Sequence, residues 1–433
     1  MGDADSYLPG HGDVSFDVKH YDLELTYKVE GNHLEGRARV SCRARTELHE
    51  LELDLHGLKV AKVTLDGRRV KYRQRRNRLH VHLDEAMSEG TTFEVGVSYG
   101  GHPGQERNRH LGTAGWEELT DGALVAAQPH GAPSWFPCND RPSSKASYRV
   151  ALTVPAEYLV HTNGVLTSRR RHASSSTWVF EQSEPMAPYL ATVHVGRYTR
   201  VELDGPVESY AIAPVALTSR LDSAFGRQAE MLETFVEAFG PYPFPSYGVV
   251  VTDDELEIPL ESQGLSTFGA NHLSDDWGCV RLVAHELSHQ WFGNSVTTGT
   301  WQDIWLHEGF ACYAEWIWSE ASGGESAHEQ AIRHHERLRG EAEDLLLSDP
   351  GPDLMFDDRV YKRGALTLHA LRLTLGDDVF FDLLRGWTRE NAYGTVSTGD
   401  FVEHAQSFSD ADLAGLFKEW LHQEPLPDLP SSR

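Results

Sequence analysis

The residues of this sequence most suited to chemistry are two histidines that stand four positions apart. His285 and His289 enclose Glu286 in the run His-Glu-Leu-Ser-His, and Glu308 follows in Trp-Leu-His-Glu-Gly-Phe. Residues four apart on an α-helix lie on one face, so both imidazoles can reach one ion. A catalytic Zn²⁺ takes three protein ligands and keeps one position open. The pattern therefore predicts that His285, His289 and Glu308 hold one Zn²⁺ per chain, with Glu286 as general base.

A helix surface that carries two histidines by chance is the alternative explanation. The apolar residues around the motif argue against it, because they predict a buried helix in which an unpaired His or Glu is costly. These apolar residues are Val280, Leu282, Val283, Leu287, Trp291 and Phe292. We expect Gly293-Asn294 to end this helix. A second helix, from about Asp303 to Ser319, carries Glu308 and, on the same face, Glu315, which is expected to accept a hydrogen bond from a ligating imidazole.

Motifs along most of the chain resemble those of the M1 zinc aminopeptidases, which are gluzincin peptidases. The resemblance is strongest on both sides of the predicted metal ligands, and other segments match in the same order. The matching segments are Trp135-Phe136-Pro137-Cys138-Asn139-Asp140, Glu184 to Leu190, Phe239 to Phe244, His289-Gln290-Trp291-Phe292-Gly293-Asn294, Trp305 to Phe310 and Tyr361-Lys362-Arg363-Gly364. The resemblance implies a thermolysin-like zinc peptidase domain preceded by a saddle-like β domain.

The resemblance also implies roles for three further residues. Tyr361 matches the tyrosine that donates its hydroxyl to the oxyanion formed at the scissile carbonyl. Glu261 matches the glutamate that binds the free α-amino group of the substrate, a cation that suits a buried carboxylate. Gln128 matches a position that helps to orient the amino terminus or a substrate carbonyl. Ile258-Pro259 and Ser262 depart from the family pattern around Glu261, which puts the substrate preference in question.

The domain prediction follows from length and pattern. A chain of 433 residues has ample core for two or three domains. Alternating apolar residues such as Tyr21, Leu23 and Leu25 predict β-sheet as far as about residue 200, after which helical periodicity dominates. The predicted class is α+β, with an amino-terminal β domain at 1–204 and a mainly helical catalytic domain at 205–433. We expect this to be a short form without a further carboxy-terminal helical domain, and therefore with a more open cleft.

Composition limits the classes of molecule that the protein is expected to bind and indicates its cellular location. The formal net charge of −26 argues against nucleic acid and anionic membranes. The sequence contains no apolar run long enough to cross a membrane, and its start lacks a signal-peptide pattern. The four cysteines show no paired spacing, so reduced thiols and a cytoplasmic location are expected.

The sequence thus predicts a zinc-dependent aminopeptidase acting on peptides with a free α-amino group. Two alternatives remain open at this point. The altered loop at Ile258-Pro259 allows an endopeptidase or a peptide-maturation protease of the same fold. A non-catalytic peptide-binding protein that kept its site is the alternative from another class.

Overall fold

The computed structural model describes residues 5–431 and has the predicted α+β architecture. The first residues of the chain, on which the leader prediction partly rests, lie outside the described range. The amino-terminal part is built of strands: β1 (Phe16–Lys28), β2 (His33–Ala44), β3 (Leu48–Asp54), β4 (Lys59–Leu65), β5 (Arg68–Arg69), β6 (Tyr72–Arg75), β7 (Arg78–Met87), β8 (Thr92–Gly101), β9 (Glu106–Asn108), β10 (Gly112–Leu119), β11 (Gly122–Ala126), β12 (Ala146–Pro155), β13 (Leu159–Thr162), β14 (Val165–Arg171), β15 (Ser175–Met186) and β16 (Val193–Gly196).

Within the described residues these strands form three sheets. The largest has the order β14-β15-β12-β1-β2-β8-β4-β5, a second has the order β13-β16-β11-β10-β9, and a third has the order β3-β7-β6. Strand β1 illustrates how the largest sheet forms, because Tyr21, Leu23 and Leu25 are buried, while Asp22 is partly exposed and Glu24 is exposed. This alternation is the pattern of a strand with one face on a hydrophobic core.

The second half of the chain combines one further five-stranded sheet with helices. Its sheet has the order β17-β18-β19-β21-β20 over the described residues. The elements are β17 (Tyr198–Leu203), β18 (Glu208–Pro214), α1 (Leu221–Phe225), α2 (Gln228–Phe239), β19 (Ser246–Val251), β20 (Leu260–Ser262), β21 (Leu265–Phe268), α3 (Trp277–Ser288), β22 (Thr297–Thr298), α4 (Trp305–Ala321), α5 (Ala327–Leu338), α6 (Asp358–Leu375), α7 (Asp377–Glu390), β23 (Thr395–Val396), α8 (Thr398–Ser407) and α9 (Ala414–His422).

Helix α3 ends earlier than the sequence predicts. It stops at Ser288 rather than near Gly293-Asn294, although His289 keeps helical backbone angles. The chain then turns tightly: the amide of Asn294 donates to the carbonyl of His289 at 3.0 Å, and Gly293 adopts a φ of +121° that disfavours a side chain. The two histidines nevertheless remain one turn apart, because only the residues after His289 leave the helix.

Helices α4 and α6 approach each other closely at two glycines. A Cβ added to Gly309 would lie 2.8 Å from the Cα of Gly364, and one added to Gly364 would lie 2.7 Å from the Cα of Gly309. Any side chain at either position would push the helices apart. This contact brings Tyr361, one turn before Gly364, towards Glu308, which precedes Gly309. None of the helices in the described part of the chain is both long and apolar enough to cross a bilayer.

Candidate active site

The three predicted metal ligands converge. The Nε2 atom of His285 lies 3.3 Å from Oε2 of Glu308, and Nε2 of His289 lies 3.5 Å from the same oxygen. Donor atoms bound tetrahedrally at roughly 2.0–2.1 Å from a Zn²⁺ ion are separated by about 3.3 Å. The three side chains are buried, and within the described residues they are the one group of this kind whose ligand atoms all lie within 4.8 Å of one another.

The remaining ring nitrogens orient both imidazoles. His285 Nδ1 lies 2.8 Å from Oε1 of Glu315, and His289 Nδ1 lies 2.9 Å from the carbonyl oxygen of Phe292. A carbonyl oxygen and an ionised carboxylate accept hydrogen bonds, so both Nδ1 atoms carry the protons. Each Nε2 atom faces Glu308 and is therefore the nitrogen that can offer a lone pair to a metal ion.

The charges around these residues also fit a cation. Burial by itself lowers the pKa of His285, but the carboxylates of Glu308 and Glu315 outweigh this effect and raise it to about 9. Burial raises the pKa of Glu308, but the neighbouring His289 and His285 hold it well below its usual value. Buried carboxylates that draw positive charge onto their neighbours are compensated equally well by a divalent ion. The donor set, its spacing and its charge therefore fit zinc.

Glu286 is buried beside the ligands and does not belong to the metal group. Burial and the nearby charge of Glu261 raise its pKa well above that of an exposed glutamate. A raised pKa strengthens a carboxylate as a proton acceptor, which is what a general base requires. Glu286 also lines the cleft that contains His285 and His289.

Glu261 and Gln128 meet across the two parts of the chain. The Nε2 atom of Gln128 donates to Oε1 of Glu261 at 2.5 Å, and both residues line the same cleft. Burial raises the pKa of Glu261, while His289 opposes this effect. A buried carboxylate paired with a neutral amide gains further stabilisation from a cationic ligand. This arrangement can bind a substrate ammonium group.

Residues that follow the histidines hold the strand of Glu261 in place. The side-chain amides of Gln290 and Asn294 both donate to the carbonyl of Ser262 at 3.1 Å. The side-chain oxygen of Gln290 also accepts from the amide of Gly264 at 2.7 Å. The bonds use the backbone of Ser262, so they do not depend on its side chain.

Tyr361, on α6, lies beside the predicted metal ligands. Its ring stacks on that of His285, with centroids 6.0 Å apart and planes 18° from parallel. Burial and the carboxylates of Glu308 and Glu261 raise the pKa of Tyr361 well above 10. Its hydroxyl is therefore protonated at neutral pH and can donate a hydrogen bond.

The site opens into a cleft of about 510 Å³. The departures at Ile258 and Pro259 lie on its wall, and Ile258 is exposed. A larger depression of about 1040 Å³ lies on the eight-stranded sheet and includes none of the predicted site residues. The cleft is also lined by residues that the sequence motifs did not predict at the site, namely Trp277, Arg281, Arg333, His334, Arg337 and Lys362. Trp277 and Arg281 were detectable, because they precede His285 at intervals of four residues on α3.

Two imidazoles, one carboxylate and an adjacent buried glutamate in one cleft are the set expected of a mononuclear metal centre of the hydrolytic type. The family model described as "Peptidase M1 N-terminal domain" matches residues 17–190, and the one described as "Peptidase family M1 domain" matches residues 223–420. The chain belongs to peptidase family M1, as its motifs predicted.

Individual relatives agree with this assignment. "Aminopeptidase M1" of Arabidopsis thaliana is 27% identical over 70% of this chain and 37% of its own length. "Leucyl aminopeptidase" of Saccharolobus solfataricus is 22% identical over 95% of this chain and 54% of its own. The chain thus spans between about a third and a half of these curated relatives. The M1 zinc metallopeptidase of Deinococcus radiodurans is 32% identical with a TM-score of 0.92, and each chain covers all of the other. A mutant of that enzyme was solved with a Tyr-Ser-Ala substrate.

Proposed function

We propose that this chain is a zinc-dependent aminopeptidase that hydrolyses the first peptide bond of peptides with a free α-amino group. The observation that carries the proposal is the position of Glu261. This buried carboxylate, with Gln128 at 2.5 Å, lines the same cleft as the metal group and Glu286. The aminopeptidase names of the plant and archaeal relatives, and the zinc and peptide named for the bacterial structures, support the proposal.

The roles of the residues follow from their chemistry. A zinc ion held by His285, His289 and Glu308 would supply a Lewis acid for the scissile carbonyl and its attacking water. Glu286 takes a proton from that water and later passes it to the leaving amine. The hydroxyl of Tyr361 donates a hydrogen bond to the carbonyl oxygen as negative charge develops there.

Binding of the amino terminus makes the enzyme remove residues from one end. Glu261 pairs with the substrate ammonium, and Gln128 orients that carboxylate by donating to its Oε1 atom. An acetylated amino terminus carries no positive charge and leaves Glu261 buried without a cation. Burial of an unpaired carboxylate is costly, so blocked peptides should be poor substrates.

The test compares a peptide with its N-acetylated form on purified protein, before and after treatment with a chelator. We expect the free peptide to lose one residue at a time from its amino end, the blocked peptide to survive, and zinc to restore activity after chelation. Internal cleavage of the blocked peptide would instead support the endopeptidase alternative. A metal-loaded protein that cleaves neither peptide would support the non-catalytic alternative.

Two further assignments remain proposals. The division into residues 1–204 and 205–433 is supported by the family-model matches, which end at residue 190 and resume at residue 223. Strand β17, at the end of the first part, pairs with β18 of the second, so the two parts share a sheet across this division. A cytoplasmic location is supported by the four cysteines, which all lie in the described range and are free thiols.

A further inference from the structure

The cleft is lined by positively charged side chains that have no role in the proposed mechanism. Arg281 extends from α3, and Arg333 and Arg337 extend from α5, and all three line the same cleft as the metal group. Glu261 and Gln128, which are proposed to bind the substrate ammonium, line it as well. The cleft therefore offers the Glu261 carboxylate and several basic groups to the same bound molecule.

The helices α3 and α5 place the three arginines at the cleft. Arg333 and Arg337 are four residues apart on α5 and so lie on one face. The start of α5 is fixed by a capping box, in which Ser326 and Glu329 bond each other's backbone amides. Arg281 precedes His285 by one turn of α3, and its guanidinium lies 3.3 Å from the Glu315 carboxylate.

The acidic partners of the two α5 arginines are exposed, although Arg333 also donates to the side-chain oxygen of the buried Gln330. Arg333 pairs with Glu325 at 2.9 Å, and both side chains are 53% exposed. Arg337 pairs with Asp358, which is 57% exposed. Exposed ion pairs of this kind contribute little to stability. Either guanidinium can therefore exchange its acidic partner for a carboxylate brought by a ligand.

His334, which follows Arg333 on α5, lines the same cleft and can add a donor. Its ring stacks on Trp316, with centroids 5.3 Å apart and planes within 4° of parallel. Its Nδ1 atom is buried and has no hydrogen-bond partner among the described residues. Burial, reinforced by Lys362 and the neighbouring arginines, lowers the pKa of His334 to about 4. The neutral ring can thus present an N–H group to an anionic ligand.

We propose that Arg333, Arg337 and Arg281 bind the α-carboxylate of a short peptide, with His334 as a further donor. The inference rests on the proposed function, because it adds the carboxyl end to a substrate whose amino end Glu261 holds. A guanidinium matches a carboxylate with two parallel hydrogen bonds, which favours this anion over a neutral amide. A cleft of about 510 Å³ has the size of small-ligand sites, which suits a substrate of a few residues. The preferred substrates would then be short peptides with both ends free.

The test measures binding separately from catalysis. A tripeptide with a free carboxylate and its carboxamide would be titrated calorimetrically into the zinc-loaded Glu286→Gln variant, which is expected to bind but not to cleave. We expect the free acid to bind at least about tenfold more tightly than the carboxamide, because hydrogen bonds to a charged group are stronger than those to a neutral one. In the double variant Arg333→Gln/Arg337→Gln this ratio should fall towards one. Arg339→Gln, an exposed change at the end of the same helix, should leave it intact.

The binding and turnover results test the carboxylate site and the proposed function separately. Equal affinity for acid and amide in the parent protein would overturn the inference, while turnover of free-amino peptides by the wild-type enzyme would still support the proposed function. A clear preference for the acid without any turnover by the wild-type enzyme would reject the proposed function and keep the carboxylate site. A carboxamide peptide that ends in glutamate separates the two sources of carboxylate. If it binds as well as the free acid, the site recognises acidic side chains and our assignment to the α-carboxylate is wrong.

Discussion

Glu315 provides a sharp test of how the metal site is built. It is buried on α4, and its Oε1 atom lies 2.8 Å from Nδ1 of His285. Burial raises its pKa, but Lys362 and the bond from His285 outweigh that effect and lower it to about 2. Glu315 is therefore ionised at neutral pH. Its charge should strengthen His285 as a ligand, although Glu315 does not belong to the metal group.

Two substitutions of Glu315 separate its charge from its hydrogen bond. Glu315→Gln keeps an oxygen that can accept from His285 but removes the negative charge. Glu315→Ala removes both and leaves a cavity beside the ring. Losing such outer partners weakens metal binding by about 10- to 100-fold, or about 1.4–2.7 kcal/mol. We expect Glu315→Gln to lie near the lower value and Glu315→Ala near the upper one.

The measurement is the zinc dissociation constant, obtained by competition with a chromophoric chelator. Glu320→Gln is the matched control, because Glu320 lies on the same helix but pairs with Arg372 at 3.2 Å, outside the site. The control should bind zinc like the wild-type protein. If Glu315→Ala also binds zinc within about threefold of the wild type, then the bond to His285 contributes nothing to the site and the reasoning is refuted.

Three further substitutions test the proposed roles. Glu286→Gln should retain stoichiometric zinc by metal analysis yet lower kcat by about 10²–10⁴-fold; near-normal turnover would reject Glu286 as the base. Tyr361→Phe should lower kcat by about 10²–10³-fold with little change in KM, because the hydroxyl acts on the transition state; a change in KM alone would assign it to substrate binding. Glu261→Gln should lower kcat/KM for free-amino peptides by about 30-fold or more, the cost of removing one partner of a buried charge pair, and an equal loss on N-acetylated peptides would contradict its role at the amino terminus.

The sequence predicted the parts of the site that depend on local spacing. His285 and His289 lie one turn apart because a helix has one period, and Glu315 lies near His285 because it shares a face of α4 with Glu308. The end of α3 was predicted less well, because the bonds of Gln290 and Asn294 to Ser262 reach residues far away in the chain. These tertiary hydrogen bonds favour a turn over continuation of the helix. Helical periodicity in the sequence does not predict them.

No sequence pattern predicted that arginines of α5 would line the cleft. Arg333 and Arg337 lie in a helix with many charged and polar residues, which by pattern alone is a solvated surface. They become cleft residues only because α5 packs beside α4 and α6, where Trp316 stacks on His334. Contacts between elements that are distant in sequence decide which polar face meets the substrate.

The glycine contact between α4 and α6 links parts of the site that the sequence presents as separate motifs. Glu308 precedes Gly309 directly, and Tyr361 lies one turn before Gly364. Since the two glycines pack against each other without side chains, one contact sets the distance between a proposed metal ligand and the proposed oxyanion donor. A larger residue at either glycine would separate the two groups together. The glycine in each motif therefore supports the proposed catalytic geometry, although neither has a side chain to take part in the chemistry.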